Sequence, residues 1–193
     1  MTESNQLQSH DAVISSVRHW VDSVVVELEL CPFAKRELLN SRVRFVTTQA
    51  STEELLLSAL EAELELLVEN DAIETTLLIH PAVLQNFEDY NQFLNQADGL
   101  IALKVLEGAY QIASFHPDYR FASTAMDDAE NYSNRSPYPM LHLLREASVE
   151  AAVASYPTAE QIPQRNIQRL KEMGTERLHA LLNSCFDLGR NRA

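Results

Sequence analysis

Glycine, cysteine and basic side chains are all scarce in this chain, and each scarcity excludes some chemistry. Four glycines in 193 residues cannot build the glycine-rich loops that cradle phosphates, and neither GxGxxG nor GxxxxGK(S/T) occurs. GxSxG and HExxH are missing too, so the familiar hydrolase elbow and zinc-protease helix are excluded. The two cysteines, Cys31 and Cys185, are far apart and form no CxxC, which leaves no basis for a disulfide framework or structural zinc site. Fifteen Lys and Arg face 28 Asp and Glu, a net charge of −13 that repels phosphate backbones, so no nucleic-acid partner is expected. The acid is concentrated: residues 160–193 carry six basic and four acidic side chains, which leaves residues 1–159 near −15. No apolar run approaches the roughly 18–20 residues of a membrane span. The first residues, MTESNQLQSHD, lack the basic start and apolar core of a secretion signal. A cytoplasmic location without membrane association is expected.

What is present has a readable order. Val13, Val17, Trp20, Val21, Val24 and Leu28 fall at helical spacing and predict an N-terminal helix over residues 10–29. Pro32 suits the opening of a short helical turn over Phe33–Leu39. Val43–Thr48 is short and β-branched, a strand. Ser51 and Glu54 form a capping-box pattern before a helix that turns Leu57, Leu60, Leu64 and Leu67 inward. Thr75–His80 is a second strand, residues 85–104 a helix, and Tyr110–His116 a third strand. Pro139 suits the first position of another helix, so residues 139–188 are expected to be helical, with breaks at Pro157 and Gly174.

The expected fold is therefore one α/β domain over residues 1–193. A small, mainly parallel three-stranded sheet (β-α-β-α-β, residues 43–116) is packed with helices, preceded by an N-terminal helix and followed by a helical C-terminal part. An α+β, ferredoxin-like arrangement is the alternative.

Chemistry-bearing residues concentrate in Tyr110–Glu146. Two histidines, two adjacent aspartates, two asparagines, three arginines, three prolines and six aromatic rings crowd there. A loop of about 20 residues, 117–138, is long for a compact domain and is expected to be an ordered functional loop. TTLLIHP and ASFHP both end a strand in His-Pro, which would place His80 and His116 at the carboxyl edge of the sheet, where ligands collect in open α/β folds. His142 would sit in the first turn of the helix opened by Pro139, where the dipole keeps the imidazole neutral. Arg135, arriving just before that helix, and Arg145 would hold an anion. His116, His142 and Asp128 are thus the candidate catalytic groups. Arg135, Arg145, Asn131, Asn134, Tyr119 and His80 are the candidate ligand contacts. Asp127, Asp128 and His116 are candidate ligands for a divalent cation such as Mg²⁺, although aspartates also serve to cap and turn loops. Cys31, ahead of the helical turn at Pro32, is a candidate reactive thiol, weighed against a buried structural role.

The blocks LCPFA (Leu30–Ala34), QIASFHPDYRF (Gln111–Phe121) and DDAENYSNRSPYPMLHLLREASV (Asp127–Val149), with TTLLIHP and IPQRNIQRL, closely resemble the bacterial family called domain of unknown function 1415. The resemblance runs from about Trp20 to about Leu170. It implies a single-domain cytoplasmic protein and transfers no catalytic residue. The reading that follows is an enzyme acting on a small anionic molecule by His-mediated acid–base chemistry, either hydrolysis or group transfer. The alternatives are a non-catalytic metal- or ligand-binding protein, and an interaction module whose polar cluster is an internal network.

Overall fold

A computed structural model of the chain describes residues 9–190. Helix α1, His10–Trp20, starts where the Ser9 side chain accepts the Ala12 N–H, and it buries Val13, Val17 and Trp20 on one face. The expected helix continues, but as a π-helical stretch, Val21–Val26. Helix α2, Ala34–Leu39, follows the Pro32 turn. Strand β1 is Val43–Thr47. Helix α3, Glu53–Glu69, is capped by Thr52, whose hydroxyl accepts the Leu55 N–H, rather than by the expected Ser51. Its buried stripe is Leu56, Leu60, Leu64 and Leu67, shifted by one residue at the first position. Strand β2 is Thr75–Ile79 and helix α4 is Phe87–Leu103, capped by Asn86. Strand β3 is Tyr110–Phe115.

Residues Met140–Arg145 form a fourth strand, β4, where a helix was expected. The sheet order is β1-β2-β4-β3. β1 and β2 pair parallel, whereas β4 pairs antiparallel with both β2 and β3. The sheet thus has four strands rather than three, and most of its pairings are not parallel. The first three strands do share a direction, as their helical crossovers require. β4 fills the gap between β2 and β3. It was hidden in sequence because it is buried on both faces: Leu141 and Leu143 meet one layer, Met140 the other, so no alternation of apolar and polar residues marks a strand. Proline before an apolar run then reads equally well as a helix start.

Helices cover both faces. Leu78, Leu141 and Leu143 pack under α3 and α4 with Tyr90, Phe93 and Ala97. Leu77, Ile79 and Met140 pack on the other side against Trp20 of α1 and against Leu170, Leu178 and Leu182. These last come from helices α6, Ile162–Met173, and α7, Thr175–Arg190. Helix α5, Glu146–Ser155, leaves directly from β4. No described helix is long and apolar enough to cross a membrane.

Gly174, between α6 and α7, has φ +81° and ψ 151°, a conformation that L side chains rarely adopt. Gly99, inside α4, has open space around it. Gly174→Ala is therefore expected to destabilise the fold by about 1–2 kcal/mol, and Gly99→Ala to stabilise it by about 0.5–1 kcal/mol. Urea denaturation of the two variants checks the opposite signs.

Candidate functional site

His80 and His116 do meet at the carboxyl edge, around a tyrosine. Their rings lie 5.8 and 5.1 Å from that of Tyr90, and His116 also packs 5.4 Å from Phe87. Both histidines are fully buried. His116 Nδ1 accepts the Asp118 N–H at 3.0 Å, which places its proton on Nε2, and that nitrogen donates to the Leu84 carbonyl at 3.1 Å. His80 Nδ1 donates to the Val83 carbonyl at 3.0 Å, while its Nε2 is buried without a partner. Together the two rings fasten the turn after β2, where Leu84 has φ +57°, to the end of the sheet. Burial lowers the pKa of both, that of His80 to about 4.

The 117–138 loop spends its polar groups on itself. Asn131, fully buried, accepts from the Phe121 N–H at 3.1 Å and the Thr124 hydroxyl at 2.7 Å, and donates to the Ala125 carbonyl at 2.8 Å. The Asp128 carboxylate accepts the Ala125 N–H. Arg135 donates to the Tyr119 and Met126 carbonyls and lies over the Tyr132 ring. Asn134 donates to the Ser114 carbonyl, and the Tyr119 ring packs on Phe87 and Phe121. Asp127 takes part through its backbone carbonyl, which accepts from Thr175. Among the described residues no three His, Cys, Asp or Glu side chains are gathered to hold a metal ion. With both nitrogens engaged, His116 keeps no lone pair for one.

Arg145 lies elsewhere. It donates to the carbonyls of Leu67, Asn70 and Ile73 and to the Tyr110 hydroxyl, closing the C-terminal end of α3. It therefore does not share an anion site with Arg135.

His142 is the largest departure from expectation. It sits in mid-strand, opposite Leu77 and Ala113, and not at a helix N-terminus. Its side chain points to the α1 face, whereas His116 packs on α4 across the sheet. The two histidines therefore do not share a site. The imidazole is neutral, as expected, but the cause is burial, which pushes its pKa down to about 4.

On this face lies a cavity of about 320 Å³. Its roof is the half of the sheet where β1 and β2 begin, with Val43, Thr75 and Leu77 beside His142. Trp20, Val21 and Val25 form one wall, Cys31, Phe33 and Leu38 another, and Ser148, Val149 and Ala152 of α5 the third. Nearly all of the lining is apolar. The site is thus away from the carboxyl edge and from the long loop. Cys31, the expected thiol, is half-buried in this wall and unpaired.

The proton positions around His142 follow from its partners. The Thr75 hydroxyl lies 2.5 Å from the Leu143 carbonyl, which can only accept, so the hydroxyl proton points there. The same oxygen is 2.7 Å from His142 Nε2 and must accept from it. Nε2 therefore carries the ring proton and Nδ1 is left as an acceptor. Nδ1 has no hydrogen-bond partner among the described residues, and the part of the ring that remains open lines the cavity. At the cavity edge Arg42 pairs with both Glu37 and Glu74, and Arg36 pairs with Glu37 at 2.7 Å. Thr75 and Trp20 carry no local sequence signal of this role. Only the fold, which joins Thr75 and Trp20 across 67 and 122 positions of the chain, brings them to His142.

The family model described as a protein of unknown function (DUF1415) matches residues 12–180. The chain belongs to that family. No curated protein and no solved structure matches it.

His80 and His142 are held neutral in the fold at a pKa of about 4, against an ordinary value of 6.5. Below pH 6.5 the unfolded chain binds protons that the folded chain refuses. Stability is therefore full above pH 6.5, falls between pH 6.5 and 4, and levels off below, by about 3 kcal/mol for each ring. Urea midpoints from pH 8 to pH 4 should show this decline, to which His116 adds in the same direction, and it should be shallower in His142→Leu. An equal slope in that variant would contradict the burial of a neutral His142.

Proposed function

Membership in a family without an assigned activity carries no chemistry across, so we propose from the geometry that this protein binds a small, mainly apolar molecule in the cavity beneath β4. The supporting observation is the cavity itself: about 320 Å³, with a mainly aliphatic and aromatic wall into which His142 and, at one edge, the Glu37 and Glu74 carboxylates also face. That size and that mixture of an apolar wall with a few polar groups are typical of small-ligand sites. An anion is less well served. Arg145 is committed to the carbonyls ending α3, and Arg36 pairs with Glu37 on the exposed rim, so a charged group fits only at the mouth.

A second reading makes the same cavity an active site. The thiol of Cys31 and the neutral imidazole of His142 line the same cavity, and nucleophilic catalysis by the thiol would require the two to come within hydrogen-bond reach. In that case His142 performs the acid–base chemistry, as the sequence suggested. The remaining candidates, His116, Asp128 and Arg135, hold the fold together on the other side of the sheet and along the loop.

The test is a thermal-shift screen of apolar fragments, repeated on a variant with the cavity filled. Ala113 lines the space from β3, and Ala113→Phe should occupy it. Hits are expected to stabilise the wild type, by about 2.7 kcal/mol at a hundred times Kd, and to leave Ala113→Phe unmoved. Hits that stabilise both proteins equally would place the binding site elsewhere.

A further inference from the structure

The polar atoms of the cavity wall that lack a hydrogen-bond partner, His142 Nδ1 at the sheet and the Glu37 and Glu74 carboxylate oxygens at one edge, are all acceptors, and that constrains the polar part of the ligand. Leu143 offers a carbonyl, Thr75 gives its hydroxyl proton to that carbonyl, and His142 gives its Nε2 proton to Thr75. The chain of donors ends there, and Nδ1 faces the cavity with a lone pair and nothing to give. Reversing the chain would require Thr75 to abandon a 2.5 Å hydrogen bond in the interior of the sheet. Water entering the cavity can satisfy Nδ1. An occupant that expels the water must replace its hydrogen bond or leave a buried acceptor unpaired.

We infer that the molecule held in this cavity is largely apolar and not anionic, and that it carries a hydrogen-bond donor, a hydroxyl or N–H group, which it gives to Nδ1 of His142. The inference rests on the cavity being the binding site and goes further by fixing the direction of its polar contact with His142. An ionised carboxylate has no proton for Nδ1 and would have to shed its hydration against an apolar wall, so it is excluded on both counts. An ether or ketone matches the wall but offers the wrong half of the hydrogen bond. A phenol or an alcohol on a compact ring frame meets both requirements. Such a group also lies where a base would take its proton, which connects the binding contact to the catalytic reading without depending on it.

Three probes of similar shape separate the possibilities: 2-naphthol, which donates; 2-methoxynaphthalene, which only accepts; and 2-methylnaphthalene, which does neither. Their affinities for the full chain at neutral pH can be measured by calorimetry. Trp20, the only tryptophan, lines the cavity and gives an independent fluorescence signal of occupancy. The expected result is that 2-naphthol binds about tenfold more tightly than either of the others, the factor typical of one buried neutral hydrogen bond. In His142→Leu, and in Thr75→Val, where Nε2 is no longer held, the ratio should fall toward one. If 2-methylnaphthalene equals 2-naphthol in the wild type, the inferred donor is wrong although the cavity still binds. If 2-methoxynaphthalene is the tightest, the ring proton faces the cavity and the polarity is reversed. Failure of all three to bind, or binding undiminished by Ala113→Phe, would remove the cavity reading and this inference with it.

Discussion

The antiparallel seating of β4 between β2 and β3 is the constraint on which the rest of the structure depends. β2 and β3 run in the same direction but do not pair with each other; β4 lies between them and is hydrogen-bonded to both. With β4 in that place, each of its side chains is assigned to a layer. Leu141 and Leu143 close the α3–α4 side, Met140 closes the α1 side, and His142 is left over the cavity. The edge contacts tighten around the same strand. The Tyr90 hydroxyl donates to the Met140 carbonyl at 2.8 Å and accepts the Phe115 N–H at 3.0 Å, tying α4 to β4 and β3 in one atom. The His80 N–H reaches the Pro139 carbonyl. At the other end Arg145 grips the last carbonyls of α3. A strand that carries a buried neutral histidine is thus also the one that both helical layers are anchored to.

That arrangement explains why a polar residue can stand in the middle of the sheet. A buried imidazole without partners would be costly. Thr75, on the adjacent strand, absorbs its proton, and the cavity provides room for the other nitrogen. The charged groups nearby, Glu37, Glu74, Arg36 and Arg42, neutralise one another at the rim rather than at His142. The ring therefore experiences little beyond desolvation, which accounts for its depressed pKa.

Much of the framework was legible because it is local. Periodicity located α1, α3 and α4, short apolar runs located β1 to β3, and the capping-box pattern located the start of α3 to within a residue. β4 was not legible, since a strand buried on both faces has no period, and Pro139 imitates a helix start. The concentration of His, Asp, Asn and Arg in the long loop was real, but most of it answers a local demand. A segment of about 20 residues without regular structure has many backbone groups to satisfy, and Asn131, Asp128, Asn134 and Arg135 satisfy them. A lowered pKa was expected for His142 from a helix terminus, whereas burial in the sheet is what lowers it. The cavity was invisible because its walls come from Trp20, Cys31, Thr75 and Ala152, which no short-range pattern connects.

The π-helical stretch Val21–Val26 makes the shape of that cavity a matter of counting. Its wider turn, with bonds such as Glu27 N–H to Asp22 and Leu30 N–H to Val25, accommodates one residue more than an α-helical turn would. Because each residue advances an α-helix by about 100°, a single deletion here would restore the ordinary winding while turning α1 against the sheet by more than a quarter of a circle. Trp20 and Val25 could then no longer both face His142. Chain length in this one turn therefore bears on the chamber more than residue identity does: exchanging one valine for isoleucine trims the chamber and for alanine enlarges it, whereas losing one moves a whole wall.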